Sequence, residues 1–325
     1  MRTCTDTQSG RALPENLNYE LRIMSHPDPR NANIMVYVNG EIVPRKDAKV
    51  SVFDSVVQGG DAVWEGLRVY KGRIAALDGH LRRMQNSAKT LAFEGVPSSD
   101  EIRTAIFDTL HANGMTDDAH IRLTLTRGEK VTSGMNPRFN QSGCCLIVLA
   151  EWKPPVYSDD GIKVITSSIR RNTTQCLDSK IHHNNLLNNI LASIEANVAS
   201  VDAAVMLDVH GFVSETNDTN IFLVHDGVLL TPFADSCLPG LTRKMILEIA
   251  ERDGIPSQEK NLSMTELYTA DEVFTTGTMG ELTPILMADG RTIADGRCGP
   301  VTKRLQTLHR DYAFENGESL PDYDE

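Results

Sequence analysis

Apolar residues fall at helical spacing just after Lys180. From Leu187 onward they stand at i, i+3, i+4, i+7 and i+11, which predicts a helix with one buried face. The apolar positions are Leu187, Ile190, Leu191, Ile194 and Val198. Asparagine is a poor helix former, so we expect tertiary contacts to hold the four asparagines around the start of this helix. They are Asn184, Asn185, Asn188 and Asn189.

The first half of the chain alternates strand and helix patterns. An Asn-Gly pair at 39–40 favours a tight hairpin turn, and Ser98 with Glu101 fits a helix capping box. The predicted elements are a hairpin over 34–43, helices from 78 and over 98–114, and strands over 121–126 and 145–150.

The second half repeats this alternation after two successive prolines in a polar stretch, which predict a linker over 151–160. The elements predicted beyond it are strands over 162–168, 203–207, 220–224, 228–230, 273–276 and 285–287, and helices from 187, over 242–252 and over 301–312. This pattern predicts an α/β (α+β) fold. The predicted organisation is a loosely ordered arm over 1–33, a small α+β domain over 34–150, the linker, and a large domain over 161–325.

The composition and charge of the chain exclude several classes of function. The 325 residues are 40% hydrophobic and 23% charged, as in a soluble globular enzyme or binding protein. The net charge of −12, without a long basic run, argues against a nucleic-acid or membrane partner. No apolar run approaches the roughly 18 residues that span a bilayer, and the N-terminus has no signal-peptide core. Six cysteines without CxxC spacing predict free thiols in the cytoplasm, and no metal site is expected.

Two stretches are candidates for binding an anion. In the run 238–244 a helix begins after a Pro-Gly pair, so free backbone N–H groups and the helix dipole favour an anion there. The Pro-Gly pair could equally form only a turn. The hydroxyl- and glycine-rich loop 275–283 is a weaker candidate. Arg83 could add a fixed charge, or it could be a solvated surface residue.

Lys180 and Glu215 are the candidate reactive residues. Read alone, Lys180 fits a solvated lysine and Glu215 an exposed turn residue. Beside an anion site, however, a lysine and a carboxylate are what pyridoxal phosphate needs, for its Schiff base and its ring nitrogen.

Seven segments of the chain carry motifs that occur in this order in one enzyme group. They include Trp-Glu-Gly-Leu-Arg, Lys-Ile-His-His-Asn-Asn and Leu-Pro-Gly-Leu-Thr-Arg, and they span 60–70, 80–83, 180–189, 214–223, 238–243, 276–284 and 296–303. With these motifs the chain resembles the fold type IV pyridoxal-phosphate enzymes, and among them most the branched-chain amino acid aminotransferases. The resemblance covers about residues 34–312.

The resemblance implies a role for each matching residue. Lys180 would carry the cofactor and move a proton at the substrate Cα, while Glu215 would pair with the pyridine nitrogen. The implied phosphate contacts are Arg83, Leu241, Thr242 and Thr278. The implied substrate-binding residues are Trp64, Glu65, His120, Arg122, Met279 and Gly280.

His120 and Arg122 share one face of a predicted strand, as a joint carboxylate site requires. The alternative is two solvent-facing polar residues on a half-buried strand. Trp64 could equally belong to the core.

Three positions depart from the family pattern. Asn185 stands where a tyrosine usually reaches the phenolic oxygen of the cofactor, Gly59 where a pocket tyrosine is common, and Thr216 where a glycine is usual. The hydrogen bond to the phenolic oxygen therefore stays open, and the pocket is expected to be larger or reshaped.

The resemblance implies transfer of an amino group from a hydrophobic or branched-chain amino acid to a 2-oxo acid such as 2-oxoglutarate. The alternatives are a D-amino acid aminotransferase, a lyase of the aminodeoxychorismate type, and a non-catalytic protein of the same fold. A homodimer or larger homo-oligomer is also implied.

Overall fold

The computed structural model describes residues 28–158 and 160–322. Most of the predicted N-terminal arm, residues 1–27, therefore lies outside the described residues. The rest of it is a 3₁₀ helix, Pro29–Asn33, in which the buried Asn31 side chain donates to the carbonyl oxygen of Trp152. This part of the predicted arm is thus packed against Trp152 of the first sheet.

Strands and helices alternate along the described residues. The strands are β1 Met35–Val38, β2 Glu41–Pro44, β3 Ala62–Tyr70, β4 Arg73–Ile74, β5 Ala119–Thr126, β6 Cys145–Trp152, β7 Ile162–Thr166, β8 Ala203–Leu207, β9 Val213–Thr216, β10 Asn220–His225, β11 Val228–Thr231, β12 Ser257–Glu259, β13 Glu272–Gly277, β14 Glu281–Ala288, β15 Arg291–Thr292 and β16 Glu318–Ser319. The helices are α1 Ser55–Gly59, α2 Leu77–Thr90, α3 Ser99–Asn113, α4 Leu187–Val198, α5 Leu241–Arg252, α6 Met264–Tyr268 and α7 Pro300–Glu315. The predicted mixed class is confirmed. In the part of the chain that is described, every helix is too short or too polar to cross a membrane.

The first sheet is antiparallel throughout. Its order within the described residues is β16-β4-β3-β5-β6-β1-β2. Helices α2 and α3 pack against it, and their apolar side chains join those of β3 and β5 in one core. The predicted capping box of α3 forms between Ser98 and Glu101, and the predicted hairpin joins β1 to β2.

The second sheet is mixed. Its order in the described part of the chain is β12-β11-β10-β13-β14-β7-β8-β9, with β15 attached to β14. Helices α5 and α7 pack on one face, where the rings of Phe222 and Phe274 stack 5.3 Å apart. Side chains alternate along a strand, so Ile221 and Val273 fill a separate core on the other face.

The end of the chain returns to the first sheet. Residues 318–319 of β16 pair with β4, which crosses the predicted division between a small and a large domain. Strand β6 also extends to Trp152, two residues into the predicted linker. The division into two domains remains a prediction.

The helix predicted after Lys180 forms as α4, but the prediction of its buried face is wrong within a single copy of the chain. Its five apolar residues, here called the α4 face, are between 48% and 69% exposed. They are Leu187, Ile190, Leu191, Ile194 and Val198. The buried side of α4 is formed instead by Ala192 and Ala196, because these small side chains let the helix approach β8 closely.

Candidate functional site

The loop that carries Lys180 is hydrogen-bonded to strand β3 of the first sheet. The Trp64 N–H donates to the His182 carbonyl oxygen at 2.9 Å, and the Asn184 N–H donates to the Ala62 carbonyl oxygen at 2.8 Å. Lys180 itself is exposed, and its backbone N–H donates to Asp178. These backbone bonds attach the Lys180 loop to the first sheet.

Arg171 holds the other side of this loop. Its Nη1 donates to Asn188 Oδ1 at 2.7 Å and to Asn189 Oδ1 at 3.1 Å, and its Nη2 donates to Ser179 Oγ at 3.1 Å. The expectation that tertiary contacts hold the asparagines is confirmed for Asn188 and Asn189. Sequence reasoning missed Arg171, because no motif marks it.

Glu215 lies in the buried strand β9 beside the same guanidinium. Arg171 Nε is 2.8 Å from Glu215 Oε1, but its N–H is not aligned for a hydrogen bond, so the contact is an ion pair. Burial raises the pKa of Glu215 to about 7, although the charge of Arg171 opposes this shift. A bound cationic group beside Glu215 would therefore favour its ionised form.

The N-terminus of α5 offers free backbone N–H groups that suit an anion, and we call it the anion-binding corner. Gly240 is its N-cap, and the backbone N–H groups of Leu241 and Thr242 stand in the first turn, where a helix offers no carbonyl partner. A Cβ at position 240 would lie 2.1 Å from Asn220 Oδ1, so glycine is required there. Asn220 is itself held by a 2.9 Å hydrogen bond to the Leu238 carbonyl oxygen.

Arg83 reaches this corner from α2. Its Nη1 donates to the Pro239 carbonyl oxygen at 3.3 Å, one residue before the N-cap of α5. Gly79 lets the two helices approach, because a Cβ there would lie 3.3 Å from the Leu241 side chain. The structure thus brings together three of the four implied phosphate contacts: Arg83, Leu241 and Thr242.

Glu65 lies beneath Arg83 and not at the edge of a pocket. Its carboxylate is fully buried and accepts from Arg83 Nε at 2.8 Å and Nη2 at 2.7 Å. The Nδ1 atoms of His80 and His182 lie 2.7 and 3.1 Å from the same carboxylate. Burial opposes the ionised form, yet His182 and Arg83 hold the pKa of Glu65 well below its usual range. The structure therefore leaves Glu65 closed to a substrate, because these partners occupy both oxygens.

Trp64 and Arg122 stand together on the face of the first sheet opposite α2. The Arg122 guanidinium is 3.5 Å from the centre of the Trp64 ring, and its Nη2 is 3.5 Å from Asn184 Oδ1 in the Lys180 loop. Burial lowers the pKa of Arg122 to about 10, so it remains a cation at neutral pH. No carboxylate of the described residues forms a salt bridge with it.

His120 shares that face with Arg122 and is buried. Burial and the nearby charges of Lys153 and Arg68 lower its pKa to about 3, so the imidazole is neutral. Its Nε2 has no hydrogen-bond partner in the described residues. The alternative of two solvent-facing side chains does not fit, since His120 is buried and Arg122 half-buried.

The loop that joins β13 to β14 contains Thr278, Met279 and Gly280. The Val156 N–H donates to the Met279 carbonyl oxygen at 2.9 Å. A Cβ at Gly280 would lie 3.1 Å from the Tyr157 ring, whose hydroxyl donates to the Asp218 carboxylate at 2.9 Å. The predicted linker is thus hydrogen-bonded to this loop. Thr278 is half-buried within it.

Two of the three positions that depart from the family pattern, Asn185 and Gly59, have open space around them. Asn185 is exposed, and its Cα lies 3.6 Å from where a Cβ at Gly60 would stand, at the end of α1. A Cβ at Gly59 would meet no atom within 4 Å. Thr216, in contrast, is buried, and its hydroxyl lies 2.7 Å from the Thr219 hydroxyl.

Comparison with known proteins matches this arrangement to one family. The family described as "Amino-transferase class IV" matches residues 62–287. The branched-chain-amino-acid aminotransferase-like protein 2 of Arabidopsis thaliana is 59% identical over 302 residues, covering 93% of this chain and 54% of that protein. The chain thus spans about half the length of this relative. A putative branched-chain-amino-acid aminotransferase of Methanocaldococcus jannaschii is 40% identical over 291 residues, covering 89% of this chain and 99% of its own length.

A solved structure supports the same match. The T.th. branched-chain amino acid aminotransferase, complexed with N-(5'-phosphopyridoxyl)-L-glutamate, superposes with a TM-score of 0.81 at 34% identity. The match covers 87% of this chain and 95% of that one. The predicted fold type IV architecture is thereby confirmed.

Proposed function

Since the chain belongs to the class IV aminotransferases, we propose that it is a pyridoxal-phosphate-dependent aminotransferase. It would transfer an amino group from a branched-chain or other hydrophobic amino acid to a 2-oxo acid such as 2-oxoglutarate. One observation carries the proposal. A single guanidinium, that of Arg171, pairs with the buried carboxylate of Glu215 and also donates to Ser179, the neighbour of Lys180. The candidate lysine and the candidate ring-nitrogen carboxylate are therefore fixed relative to each other.

The donor set fits pyridoxal phosphate. Arg83 and the free N–H groups at the start of α5 suit its phosphate, and Glu215 suits its pyridine nitrogen. Thr278 would add a hydroxyl to the phosphate, and Asn185 would lie near the other end of the ring. When bound, this cofactor supplies an electron sink that stabilises negative charge at the substrate Cα.

The residues of the chain would then position the substrate and move its protons. Lys180 would hold the cofactor covalently until the amino group of the substrate replaces it there, and its freed Nζ would then carry a proton between the substrate Cα and the C4′ atom of the cofactor. Glu215 would remain ionised beside the ring nitrogen, and Arg171 supports that state. The other side chains of the site would bind the substrate and orient it.

Arg122 would bind the substrate carboxylate. It is a half-buried cation, held by the Trp64 ring rather than by a carboxylate among the described residues. The neutral His120 beside it would add a hydrogen bond, and the 279–280 loop would close the same side of the pocket. Trp64 supplies an apolar wall, which suits a hydrophobic side chain.

We also propose that two or more copies associate through the α4 face. Its five apolar side chains are exposed on one helix, and each contributes about 1.5–3 kcal/mol when fully buried. Exposed Val52, Phe53 and Val57 lie in and before α1, whose end touches Asn185 at the start of α4. An apolar surface of this kind is typical of a subunit interface.

For the compartment we propose the cytoplasm. The support is that four cysteines of the described residues, Cys144, Cys145, Cys176 and Cys237, are free thiols, as is usual in a reducing environment. The partners would be small amino and 2-oxo acids, with neither nucleic acid nor membrane, in keeping with the net charge of −12.

A substrate panel tests the activity. L- and D-forms of leucine, isoleucine, valine and phenylalanine are offered with either 2-oxoglutarate or pyruvate, and the new amino acid is measured. Turnover of the L-branched-chain forms with 2-oxoglutarate is expected. Turnover of the D-forms alone would show that the enzyme is specific for D-amino acids. Release of pyruvate from aminodeoxychorismate, without an amino acceptor, would indicate a lyase. An absorption spectrum of the bound cofactor that stays the same with every amino donor tested would contradict catalysis.

A further inference from the structure

His182 connects the Lys180 loop to the phosphate-binding arginine. It stands two residues after Lys180, and its Nδ1 lies 3.1 Å from Glu65 Oε1. The Arg83 guanidinium binds the same carboxylate through two nitrogens. We propose that His182 is a positioning residue, which fixes the Lys180 loop relative to Arg83 through Glu65. This inference rests on the proposed function, because it assigns Arg83 to the cofactor phosphate.

The polarity of this contact follows from its environment. The Glu65 carboxylate, paired with Arg83, can only accept hydrogen bonds, so Nδ1 of His182 must donate. Burial lowers the pKa of His182 to about 4, which leaves the imidazole neutral with its proton on Nδ1. The ring lies 4.2 Å from the Trp64 ring, so its orientation is fixed on two sides.

The backbone of His182 is held independently of its side chain. Its N–H donates to Ser87 Oγ at 3.1 Å, and its carbonyl oxygen accepts from the Trp64 N–H. A side-chain substitution therefore keeps the loop attached to β3. What it can change is the bond between the loop and the Glu65–Arg83 pair, and the packing of the ring on Trp64.

Two substitutions separate this hydrogen bond from ring packing. His182→Phe keeps a ring beside Trp64 but cannot donate. His182→Asn loses the ring, but its Nδ2 can stand near the place of the imidazole Nδ1 and donate to Glu65. His183→Phe is the matched control, because the His183 imidazole has no hydrogen-bond partner at Nδ1 in the described residues.

The measurement is the dissociation constant of pyridoxal phosphate for the full-length apoenzyme, followed by tryptophan fluorescence, with circular dichroism to verify folding. His182→Phe is expected to bind the cofactor about 10-fold more weakly than wild type, the effect of one lost bond to a charged group. His182→Asn is expected to restore affinity to within about 3-fold, and His183→Phe to bind as wild type does. If His182→Phe fails to fold, His182→Ala takes its place.

Two results would overturn the inference. One is a His182→Phe affinity equal to wild type, and the other is equal weakening by Phe and Asn, which would leave ring packing as the cause. Failure of the proposed function gives a different result, namely that the wild-type protein itself neither binds the cofactor nor transfers an amino group.

Discussion

Arg171 Nε lies 2.8 Å from Glu215 Oε1 inside the protein, and only 8% of the arginine side chain is exposed. The remaining nitrogens of this guanidinium donate to Ser179, Asn188 and Asn189. One cation thus balances the buried carboxylate and also fixes the loop of Lys180. Substitution of Arg171 should therefore change the protonation of Glu215 as well as the position of the Lys180 loop.

The first prediction concerns Arg171→Gln. Without the guanidinium, burial loses its largest opposing influence, so the pKa of Glu215 rises above about 7 and the carboxyl is mostly neutral at pH 7. We expect kcat to fall on the order of 100-fold at neutral pH and to recover partly as rising pH ionises Glu215. The pH profile of kcat is the measurement.

The neighbouring Arg170→Gln is the control for this experiment. Among the described residues, the Arg170 guanidinium donates to the carbonyl oxygens of Ser167 and Ser168 and forms no ion pair or hydrogen bond with Glu215. It should keep the wild-type pH profile. Identical profiles for the two variants would refute the role of Arg171.

The second prediction concerns the anion-binding corner. Gly240→Ala places a Cβ 2.1 Å from Asn220 Oδ1, so the first turn of α5 must shift. Strain of this kind typically costs about 1–3 kcal/mol, and we expect a lower melting temperature and at least ~10-fold weaker cofactor binding. Gly59→Ala is the control, because its Cβ meets open space. Wild-type cofactor affinity in Gly240→Ala would argue against a phosphate site at this helix.

The third prediction concerns acid stability and His309 on α7. This side chain is buried, its Nδ1 has no hydrogen-bond partner in the described residues, and burial lowers its pKa to about 4. The unfolded chain binds a proton near pH 6.5 whereas the folded chain does not, so stability falls as pH drops from about 6.5 to about 4. In His309→Leu this loss is absent.

The difference between the two proteins is measurable by denaturant unfolding with saturating cofactor. Relative to wild type, His309→Leu should gain on the order of 2 kcal/mol in unfolding free energy between about pH 7.5 and about pH 5. His210→Leu, on an exposed turn, should not show this gain. A pH-independent difference for His309→Leu would contradict the buried neutral imidazole.

The fourth prediction concerns the α4 face. Ile194→Glu puts a charge among exposed apolar side chains, and we expect it to convert the oligomer to monomer, because burying an unpaired charge costs several kcal/mol. Light scattering coupled to gel filtration gives the mass. Thr307→Glu, at an exposed position of α7, should leave the mass unchanged. An unchanged mass for Ile194→Glu would exclude this face as the interface.

Local signals in the sequence predicted the elements well. The capping box of Ser98 and Glu101, and the Asn-Gly turn, are decided by neighbouring residues, so the structure confirms them. The prediction of a buried apolar face on α4 is wrong because burial depends on distant residues. Periodicity indicates that a helix has an apolar face but not what covers it, and here β8 packs on Ala192 and Ala196 instead.

Only part of the candidate site could be predicted from the sequence. The start of α5, on which the predicted phosphate site rests, could be predicted because a helix start is a local feature. The contacts of Arg171 with Glu215, and of His182 with Glu65, join residues far apart in the chain, and neither periodicity nor spacing encodes them. The family resemblance placed Glu65 with Trp64 at the substrate pocket, but alternation along β3 turns the Glu65 carboxylate toward α2.

The central claim is that Lys180 holds pyridoxal phosphate, and borohydride reduction tests it most directly. Wild-type protein loaded with the cofactor and reduced should gain the phosphopyridoxyl mass on the peptide that contains Lys180. Lys180→Ala should fold, as judged by circular dichroism, and gain no such mass on any peptide. A reduced adduct that persists in the Lys180→Ala protein, or one found on another lysine of the wild type, would contradict the account.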